Sequence, residues 1–383
     1  MKETALARSI LVLGSLLAAS LACGGPDLSP ITPPASGEPR SYYLGFTPFP
    51  HDLSIEAVNF AYEKISSDAD IIAHHFDNGV PWPEALAGEA YSENIRNDWE
   101  FRKANTPPGH KIYLAITPIN LWRDGLAPYR GEEDDMPLPP PWDTYAFDHP
   151  DVMQAYLNYP VEAVEFFDPD YLAIGIESNL LVNSGPDLWP AYLRLHQHVY
   201  SELKARYPDL PVFASILGVA LLEGYRDEDD PRAHLAALAE LEAYSDLFAV
   251  SLYPYLTRYL AEELPADFWD ELFGTSDKPI AITETGFPAQ AFTVLDGQVS
   301  VEGSEEKQAA FIQRLLAEAQ QREFVFVINF ILRDYDQLYE DLDEDMRALG
   351  ILWRDTGLYD EDGRGRPALE IWRAALQQPR RSP

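Results

Sequence analysis

Short apolar runs rich in β-branched and aromatic residues recur along most of the chain, and turn residues bound each of them. Runs of this kind are typical of buried strands. Between most of them lie stretches with helical periodicity, such as 188–206 and 305–321, in which apolar side chains recur on one face. The pattern predicts strands that alternate with helices. Eight strands are predicted, at residues 42–46, 69–74, 111–117, 171–176, 212–216, 247–252, 280–283 and 324–330.

Eight strand–helix units in one chain favour a closed barrel over an open, doubly wound sheet. A nucleotide-binding sheet has a glycine-rich phosphate loop after its first strand, and no such loop follows the first run here. We therefore predict an α/β fold, a (β/α)8 TIM barrel, over residues 41–383. One domain is expected, because no second proline-rich break divides this part of the chain. The periodicity supports the alternation of strands and helices, and the closure of the sheet into a barrel is inferred from the number of strand–helix units.

The first 22 residues have the pattern of an export signal. Lys2 and Arg8 flank the short start, and an apolar run from 10 to 21 follows. That run is too short to span a bilayer comfortably. We therefore expect the rest of the protein to lie outside the cytoplasm.

Cys23, the only cysteine of the chain, directly follows this apolar run. The segment 20–23, with sequence SLAC, resembles a bacterial lipobox, which implies cleavage before Cys23 and attachment of lipids to it. An ordinary secretory signal with an incidental cysteine is the alternative. Residues 23–40 carry five prolines among Gly, Ser and Thr, a composition that stays extended. The sequence thus predicts a lipid-anchored linker on the outer side of a bacterial membrane.

Composition and charge narrow the classes of partner. The chain has 383 residues, of which 46% are hydrophobic, and its 28 basic and 63 acidic residues give a net charge of −35. Such a chain repels the phosphates of nucleic acids, but its charge does not exclude neutral ligands. A single cysteine excludes an internal disulfide framework and a cysteine-based zinc site. We expect a monomer that needs no cofactor and contacts the membrane only through its lipid anchor.

Two glutamates follow predicted strands on opposite sides of the barrel. Glu177 comes directly after the fourth run, and Glu284 lies in the segment TETGFP, residues 283–288, which ends the seventh run. Barrel enzymes carry their chemistry at the carboxyl ends of the strands, so the two side chains are expected to face each other across the mouth. One carboxylic acid and one carboxylate across a sugar-sized gap is the requirement of glycoside hydrolysis.

These segments resemble the clan A glycoside hydrolases, which are retaining TIM-barrel enzymes. Residues 283–288 are similar to the nucleophile segment of family 53 endo-β-1,4-galactanases and family 17 β-1,3-glucanases. The resemblance implies that Glu284 is the nucleophile and Glu177 the acid/base. Residues 251–254, with sequence SLYP, are similar to a Ser-x-Tyr-Pro segment of the galactanases. That likeness implies that Tyr253 hydrogen-bonds the nucleophile.

The chain departs from the clan pattern before the acid/base and at the end of the second strand. The asparagine that usually precedes the acid/base is Ile176 here, and Asn179 follows three residues after Ile176. The Gly-x-Glu pattern at 175–177 is also found in family 113 β-mannanases. The arginine usual at the end of the second strand is absent, and the run ends with His74 and His75. Because successive strand residues alternate faces, only one histidine can face the site, and His74 is taken as the candidate.

Aromatic side chains are candidates for sugar platforms, because pyranose C–H faces stack on flat rings. Trp82 follows the second run, Trp122 follows the third, and Phe330 stands where the clan has a tryptophan after strand eight. The loop after that strand is acidic, yet its spacing matches no calcium-binding loop, and no metal site is predicted. The acidic residues are Asp334, Asp336, Asp341, Asp343, Glu344 and Asp345.

The predicted function is an exported retaining β-glycoside hydrolase that uses two glutamates. Its substrate is a neutral β-linked poly- or oligosaccharide, and galactan, mannan and glucan all remain open. A noncatalytic glycan-binding surface lipoprotein on a degenerate barrel is the alternative, because a fold alone does not give a function. A carboxylate-bound metal hydrolase ranks last, since it needs a histidine ligand beside Glu177 or Glu284, and only His74 or His75 is available.

Overall fold

The computed structural model describes residues 39–227, 230–295 and 297–381. The predicted signal segment 1–22, the lipidation candidate Cys23 and most of the predicted linker 23–40 lie outside these residues. Within the described part of the chain, none of the helices has the length and apolar character needed to cross a membrane.

A parallel sheet organises the fold and contains the eight predicted strands. Neighbouring strands run parallel throughout, as they must when a helix connects each strand to the next. The fifth strand is interrupted at Ala214 and consists of two short segments. The strands are β1 (Tyr43–Phe46), β2 (Ile71–Phe76), β3 (Lys111–Ile116), β4 (Tyr171–Ala173), β5 (Val212–Phe213 and Ser215–Leu217), β6 (Phe248–Leu252), β7 (Ile280–Thr285) and β8 (Phe326–Asn329).

The two halves of β5 close the sheet into a barrel. The first half pairs with β4, through Leu172 and Val212, and the second half pairs with β6, through Ser215 and Ala249. The two edges of the sheet are therefore consecutive pieces of one strand, and β8 pairs with β1 elsewhere in the ring. Together with its structural neighbours, described below, this topology confirms the predicted (β/α)8 fold.

Helices surround the barrel, and several begin at a serine or aspartate whose side chain accepts a backbone N–H. Ser54 caps one helix in this way and Ser304 another. The predicted helices at 188–206 and 305–321 are both present. The α-helices are Ile55–Asp68, Trp82–Ala87, Glu93–Asn105, Pro150–Phe167, Leu181–Ser184, Trp189–Arg206, Pro231–Glu242, Phe268–Phe273, Glu305–Gln321, Asp336–Asp341, Glu344–Gly350 and Pro367–Leu376. Short 3-10 turns lie at Trp142–Thr144, Ser178–Leu180, Pro186–Leu188, Gly218–Leu221 and Pro254–Leu256, and a small hairpin pairs Phe292–Val294 with Val299–Val301.

Large and small side chains alternate inside the barrel. The Phe326 ring lies 5.0 Å from those of Tyr113 and Tyr171, and alanines from other strands fill the space between such rings. At Gly45 a Cβ atom would lie only 2.2 Å from the Ile71 carbonyl oxygen, so β1 and β2 approach closely only without a side chain there. A filled interior leaves the mouth as the place for chemistry. The other large cluster of apolar side chains lies between the strands and the helices.

The folded part begins slightly before the predicted boundary at residue 41. Arg40 is only 4% exposed, pairs with Arg380 in a parallel bridge and lies 2.5 Å from the Asp70 carboxylate. The amide of Gln320 also donates to the Pro39 carbonyl. Pro39 and Arg40 therefore belong to the barrel rather than to the linker in which the sequence analysis placed them.

The two histidines of β2 lie on opposite faces, and His74 faces away from the mouth. Ile71 and Ala73 line the barrel interior, so alternation turns His75 inward and His74 outward. His74 is fully buried against Phe167, with its Nε2 atom 2.9 Å from Thr106 Oγ1. The prediction of His74 as a substrate-binding residue is therefore wrong, because the ring packs beneath the surrounding helices.

Burial also lowers the pKa of His74 to about 3, with a further contribution from the Arg102 charge. An unfolded histidine titrates near 6.5, so between about pH 6.5 and 3 only the unfolded chain binds a proton at this position. The stability that His74 contributes is therefore complete above pH 6.5 and falls as the pH drops towards 3.

We predict that His74→Phe makes the free energy of unfolding less dependent on pH across this window. The expected reduction reaches about 1.4 kcal/mol per pH unit. Urea unfolding at a series of pH values measures the change. Thr106→Val is the control, because it removes the hydrogen bond but keeps the titrating ring, and so should retain the slope. A His74→Phe slope equal to that of the unmodified protein would contradict the prediction.

Candidate active site

A β-bulge near the end of β7 turns Glu284 into the barrel mouth. Along β7 the register gains one residue relative to both neighbours: Val250 and Ser251 pair with Ile282 and Glu284, and the pairing with β8 shifts in the same way. Ala281 faces the interior, so strict alternation would turn Glu284 outward. The extra residue instead leaves both Thr283 and Glu284 facing inward.

The Glu284 carboxylate is nearly buried and has a polar neighbour at each oxygen. The Tyr253 hydroxyl donates to Oε2 over 3.2 Å, and His75 Nδ1 lies 3.7 Å from Oε1. Burial raises the pKa of Glu284, His75 opposes this shift, and the Glu177 charge adds to it. Burial and the Glu284 charge raise the pKa of Tyr253, so its hydroxyl remains a hydrogen-bond donor. The Glu177 charge raises the pKa of both Glu284 and Tyr253, which indicates that Glu177 faces the same space.

Glu177 lies after β4 in a left-handed backbone conformation, with φ 46° and ψ 43°. Its backbone N–H donates to Ser215 Oγ over 3.0 Å. On the side-chain end, Arg123 Nη2 lies 3.4 Å from Glu177 Oε2, and the carboxylate side chain is only 17% exposed. A non-glycine residue held in this conformation is strained, and such residues are concentrated at functional sites.

The position before Glu177 has an apolar role in this protein. Ile176 is 3% exposed and packs in the interior cluster with Ala173 and Phe213. An asparagine at this position could hydrogen-bond a sugar, whereas the Ile176 side chain cannot. The polar groups around the two carboxylates come from β2, the loop after β3, and the end of β6.

The structure brings two further predicted residues, Tyr253 and Phe330, to the mouth. Tyr253 contacts Glu284 as described. The Phe330 ring lies 5.9 Å from that of His75, and the Phe330 N–H donates to the Thr285 carbonyl. Together with Glu177 and Glu284, these residues form the candidate site. Trp122 is half-buried in the loop after β3 and precedes Arg123 in the chain, and its role as a sugar platform stays a prediction.

Two further predicted residues are buried elsewhere, and their assignment to substrate binding is wrong. Asn179 is fully buried and fastens the turn after β4 to β5, because its side chain both donates to and accepts from the Leu217 backbone. Trp82 is also fully buried. Its Nε1–H donates to the Ala127 carbonyl, and its ring stacks on Trp142. Neither side chain can present a surface to a sugar.

Sequence reasoning missed two residues at the site, Arg123 and Trp353, and chose His74 where His75 faces inward. The inward positions of Ile71 and Ala73 on the same strand, which decide between the two histidines, are known only from the structure. Arg123 lies in an irregular loop, and no local pattern relates it to Glu177. Trp353 packs edge-on against Tyr253 with the ring centroids 5.9 Å apart, and it comes from the far end of the loop after β8.

Three aspartates near that loop approach one another closely. Among the described residues, Asp334, Asp336 and Asp355 are the only group of acidic, histidine or cysteine side chains whose ligand atoms lie close enough to hold one ion. Arg366 lies 2.7 Å from Asp334, and Arg354 lies 2.8 Å from Asp355 and 3.6 Å from Asp336. The carboxylates are thus already compensated by arginines in a salt-bridge network.

No family model matches this chain, and no curated protein resembles it in sequence. Solved structures do resemble it. The GH53 catalytic domain of Ignisphaera aggregans is 17% identical, with a TM-score of 0.50 over 80% of this chain and 84% of that one. A GH5_18 enzyme of Streptomyces cattleya, solved in complex with Manb1-4GlcNAc, is 15% identical, with a TM-score of 0.59 over 90% and 83%. The exo-β-1,4-mannosidase Op5Man5 of an Opitutaceae bacterium, strain TAV5, is 12% identical, with a TM-score of 0.57 over 90% and 62%.

These identities are low, and the likeness concerns the fold. It covers 80–90% of this chain and agrees with the closed parallel barrel described above. The protein has a TIM-barrel fold like that of these glycoside hydrolases.

Proposed function

We propose that this protein is an exported retaining β-glycoside hydrolase that acts on a neutral β-linked poly- or oligosaccharide. The observation that carries the proposal is the environment of Glu284. Its carboxylate is turned into the barrel mouth, receives a hydrogen bond from Tyr253 and lies within electrostatic reach of Glu177. A positioned carboxylate opposite a second one is the arrangement that double displacement requires.

In the first step of this mechanism, a Glu284 oxygen forms a bond to the anomeric carbon. The bond from that carbon to the leaving oxygen breaks, and its electron pair stays on the oxygen, which takes a proton from Glu177. In the second step Glu177 removes a proton from water, and the water oxygen displaces Glu284 from the anomeric carbon. The configuration is retained because the carbon is inverted twice. Enzymes of this type hold the two carboxyl groups about 5–5.5 Å apart.

Arg123 suits the second step of this mechanism. Its guanidinium lies 3.4 Å from the Glu177 carboxylate, the group that removes a proton from water in that step. In the first step Glu177 must instead carry a proton, so Arg123 must then find another partner. Hydroxyl groups of the leaving sugar would lie next to Glu177 at that stage. We expect Arg123 to contact the sugar on the leaving-group side.

The charge of the protein and the names of its structural neighbours guide the choice of substrate. A chain with net charge −35 does not attract polyanionic glycans at long range. The neighbours include a GH53 domain and an exo-β-1,4-mannosidase. Galactan, mannan and glucan with β-linkages are the substrates to test first.

We predict that Glu284→Gln and Glu177→Gln each lower the release of reducing sugar by about 10³-fold or more, because each removes a group that takes part in bond making or proton transfer. The assay uses purified protein with β-galactan, β-mannan, β-1,3-glucan and β-1,4-glucan. Glu89→Gln, at an exposed position, makes the same chemical change away from the mouth and should leave the rate unchanged.

Ile176 and the Arg123–Glu177 ion pair favour a second candidate, a barrel that binds glycan without cleaving it. An asparagine is missing, and the acid/base candidate is paired with a cation. If the unmodified protein binds one of these glycans but hydrolyses none of them, this second function is supported and the hydrolase is rejected. Equal hydrolysis by the Glu284→Gln protein would remove Glu284 from the mechanism.

We further predict that the first sugar released has the β-configuration. Double displacement retains the anomeric centre, whereas a single displacement by water would give the α-anomer. Proton NMR during the first minutes of hydrolysis, before mutarotation, separates the two. An initial α-product would exclude the retaining mechanism while leaving the hydrolase intact.

Export and lipid anchoring are the cellular part of the proposal. They rest on the segment 1–23 and on the proline-rich residues that follow it. We predict that Cys23→Ser abolishes labelling by a radioactive fatty acid in a bacterial host and moves the protein from the membrane to the soluble fraction. The Ser20→Ala protein keeps the cysteine and should remain labelled. Membrane association of the Cys23→Ser protein would argue against the lipid anchor.

A further inference from the structure

A second carboxylate lies on the far side of His75 from Glu284. Asp77 Oδ2 is 3.6 Å from His75 Nε2, whereas Glu284 Oε1 is 3.7 Å from Nδ1. The imidazole therefore lies between two acids, with one facing each ring nitrogen. The ring is nearly buried, and Phe330 packs against it edge-on. An imidazolium ring is the form that can donate to both carboxylates at once.

The charges around His75 favour its protonated form. Burial alone would lower the pKa of His75, but Asp77 and then Glu284 outweigh this effect and raise it, with Arg123 opposing them. The Asp77 side chain is 52% exposed, and the neighbouring charges of His75 and Arg123 lower the pKa of its carboxyl group to about 2. Glu177 acts on Glu284, and Asp135 is close enough to Asp77 to be affected by its charge.

We propose that Asp77 and His75 form a positioning pair that holds an ionisable cation against the nucleophile Glu284. Asp77 orients the ring and keeps it charged, and the ring in turn orients one oxygen of Glu284 while Tyr253 orients the other. The pair deepens the proposed function and rests on it, since Glu284 must be the nucleophile. His75 touches the reacting carboxylate, whereas Asp77 acts only through His75.

The arrangement is unsuited to a shared metal ion. Asp77 and Glu284 face opposite nitrogens of the same ring, so one ion cannot contact both carboxylates and the histidine. The pair instead makes the site dependent on pH. Below the titration point of His75 the charged ring has an N–H directed at each carboxylate. Above that point the neutral ring has only one N–H, so Glu284 loses an orienting partner and turnover falls.

The test measures kcat/KM against pH on the 2,4-dinitrophenyl β-glycoside of the sugar that the glycan panel identifies. This leaving group departs without a proton, so the alkaline limb does not depend on Glu177 acting as an acid. We expect the unmodified protein to lose activity on the alkaline side. His75→Arg, which keeps the positive charge at all pH values, should remove that limb. His75→Gln should lower kcat about 100-fold with little change in KM, the size of effect seen when one preorganised donor is removed.

A second measurement is independent of catalytic activity. The chain has eight histidines, and ¹⁵N-imidazole NMR of the full-length protein follows each of them, with His75 assigned from the signal missing in His75→Gln. We expect His75 to titrate above 6.5 and to move down by about one pH unit or more in Asp77→Asn. Asp143→Asn removes an equal charge at an exposed position and should leave the His75 titration unchanged.

The outcomes separate this proposal from the proposed function. Hydrolysis with the same alkaline limb in His75→Arg and in the unmodified protein would overturn the role of the pair and leave the glycosidase standing. A His75 titration at or below 6.5, or one that Asp77→Asn does not move, would overturn it as well. The expected titrations in a protein that cleaves no glycoside would support the charged pair and reject the function.

Discussion

The candidate site depends on the one-residue bulge in β7. In a regular strand Glu284 would point towards the surrounding helices, where an unpaired carboxylate is costly to bury. The bulge turns the same side chain into the mouth, and its register is defined by two neighbours, β6 and β8. Tyr253 at the end of β6 and Phe330 at the end of β8 come from those neighbours, so the strands that define the bulge also supply the surroundings of the carboxylate.

The bulge also explains which parts of the molecule could be predicted from the sequence. The strands could be predicted, because each is a short apolar run with turn residues at both ends. Glu177 and Glu284 could be proposed because they lie at strand ends, where a parallel barrel gathers side chains, whereas Tyr253 was proposed from the resemblance of its segment to the galactanases. Strict alternation along β7 would turn Glu284 outward, so its inward direction, which the bulge causes, could not be predicted. His74 was chosen over His75, although His74 lies on the outer face of β2.

The remaining errors have a common physical origin. Trp82 begins a helix and Asn179 lies in a 3-10 turn, each shortly after a strand, and sequence position alone cannot tell whether such a side chain faces solvent or a neighbouring segment. Both are engaged by backbone groups distant in sequence, Ala127 and Leu217 respectively. Arg123 was missed for the converse reason. Its contact with Glu177 exists only because β3 and β4 are adjacent in the sheet.

The backbone of Glu177 has a consequence for how this protein evolves. A left-handed conformation costs a residue with a side chain about 1–2 kcal/mol, whereas glycine adopts it freely and asparagine tolerates it. Selection for stability alone would therefore drive glutamate out of this position. A lineage that ceased to use the carboxylate would be expected to lose it early and to become more thermostable as it did. Under the proposed function, the residue at position 177 would therefore distinguish active from degenerate members of a lineage.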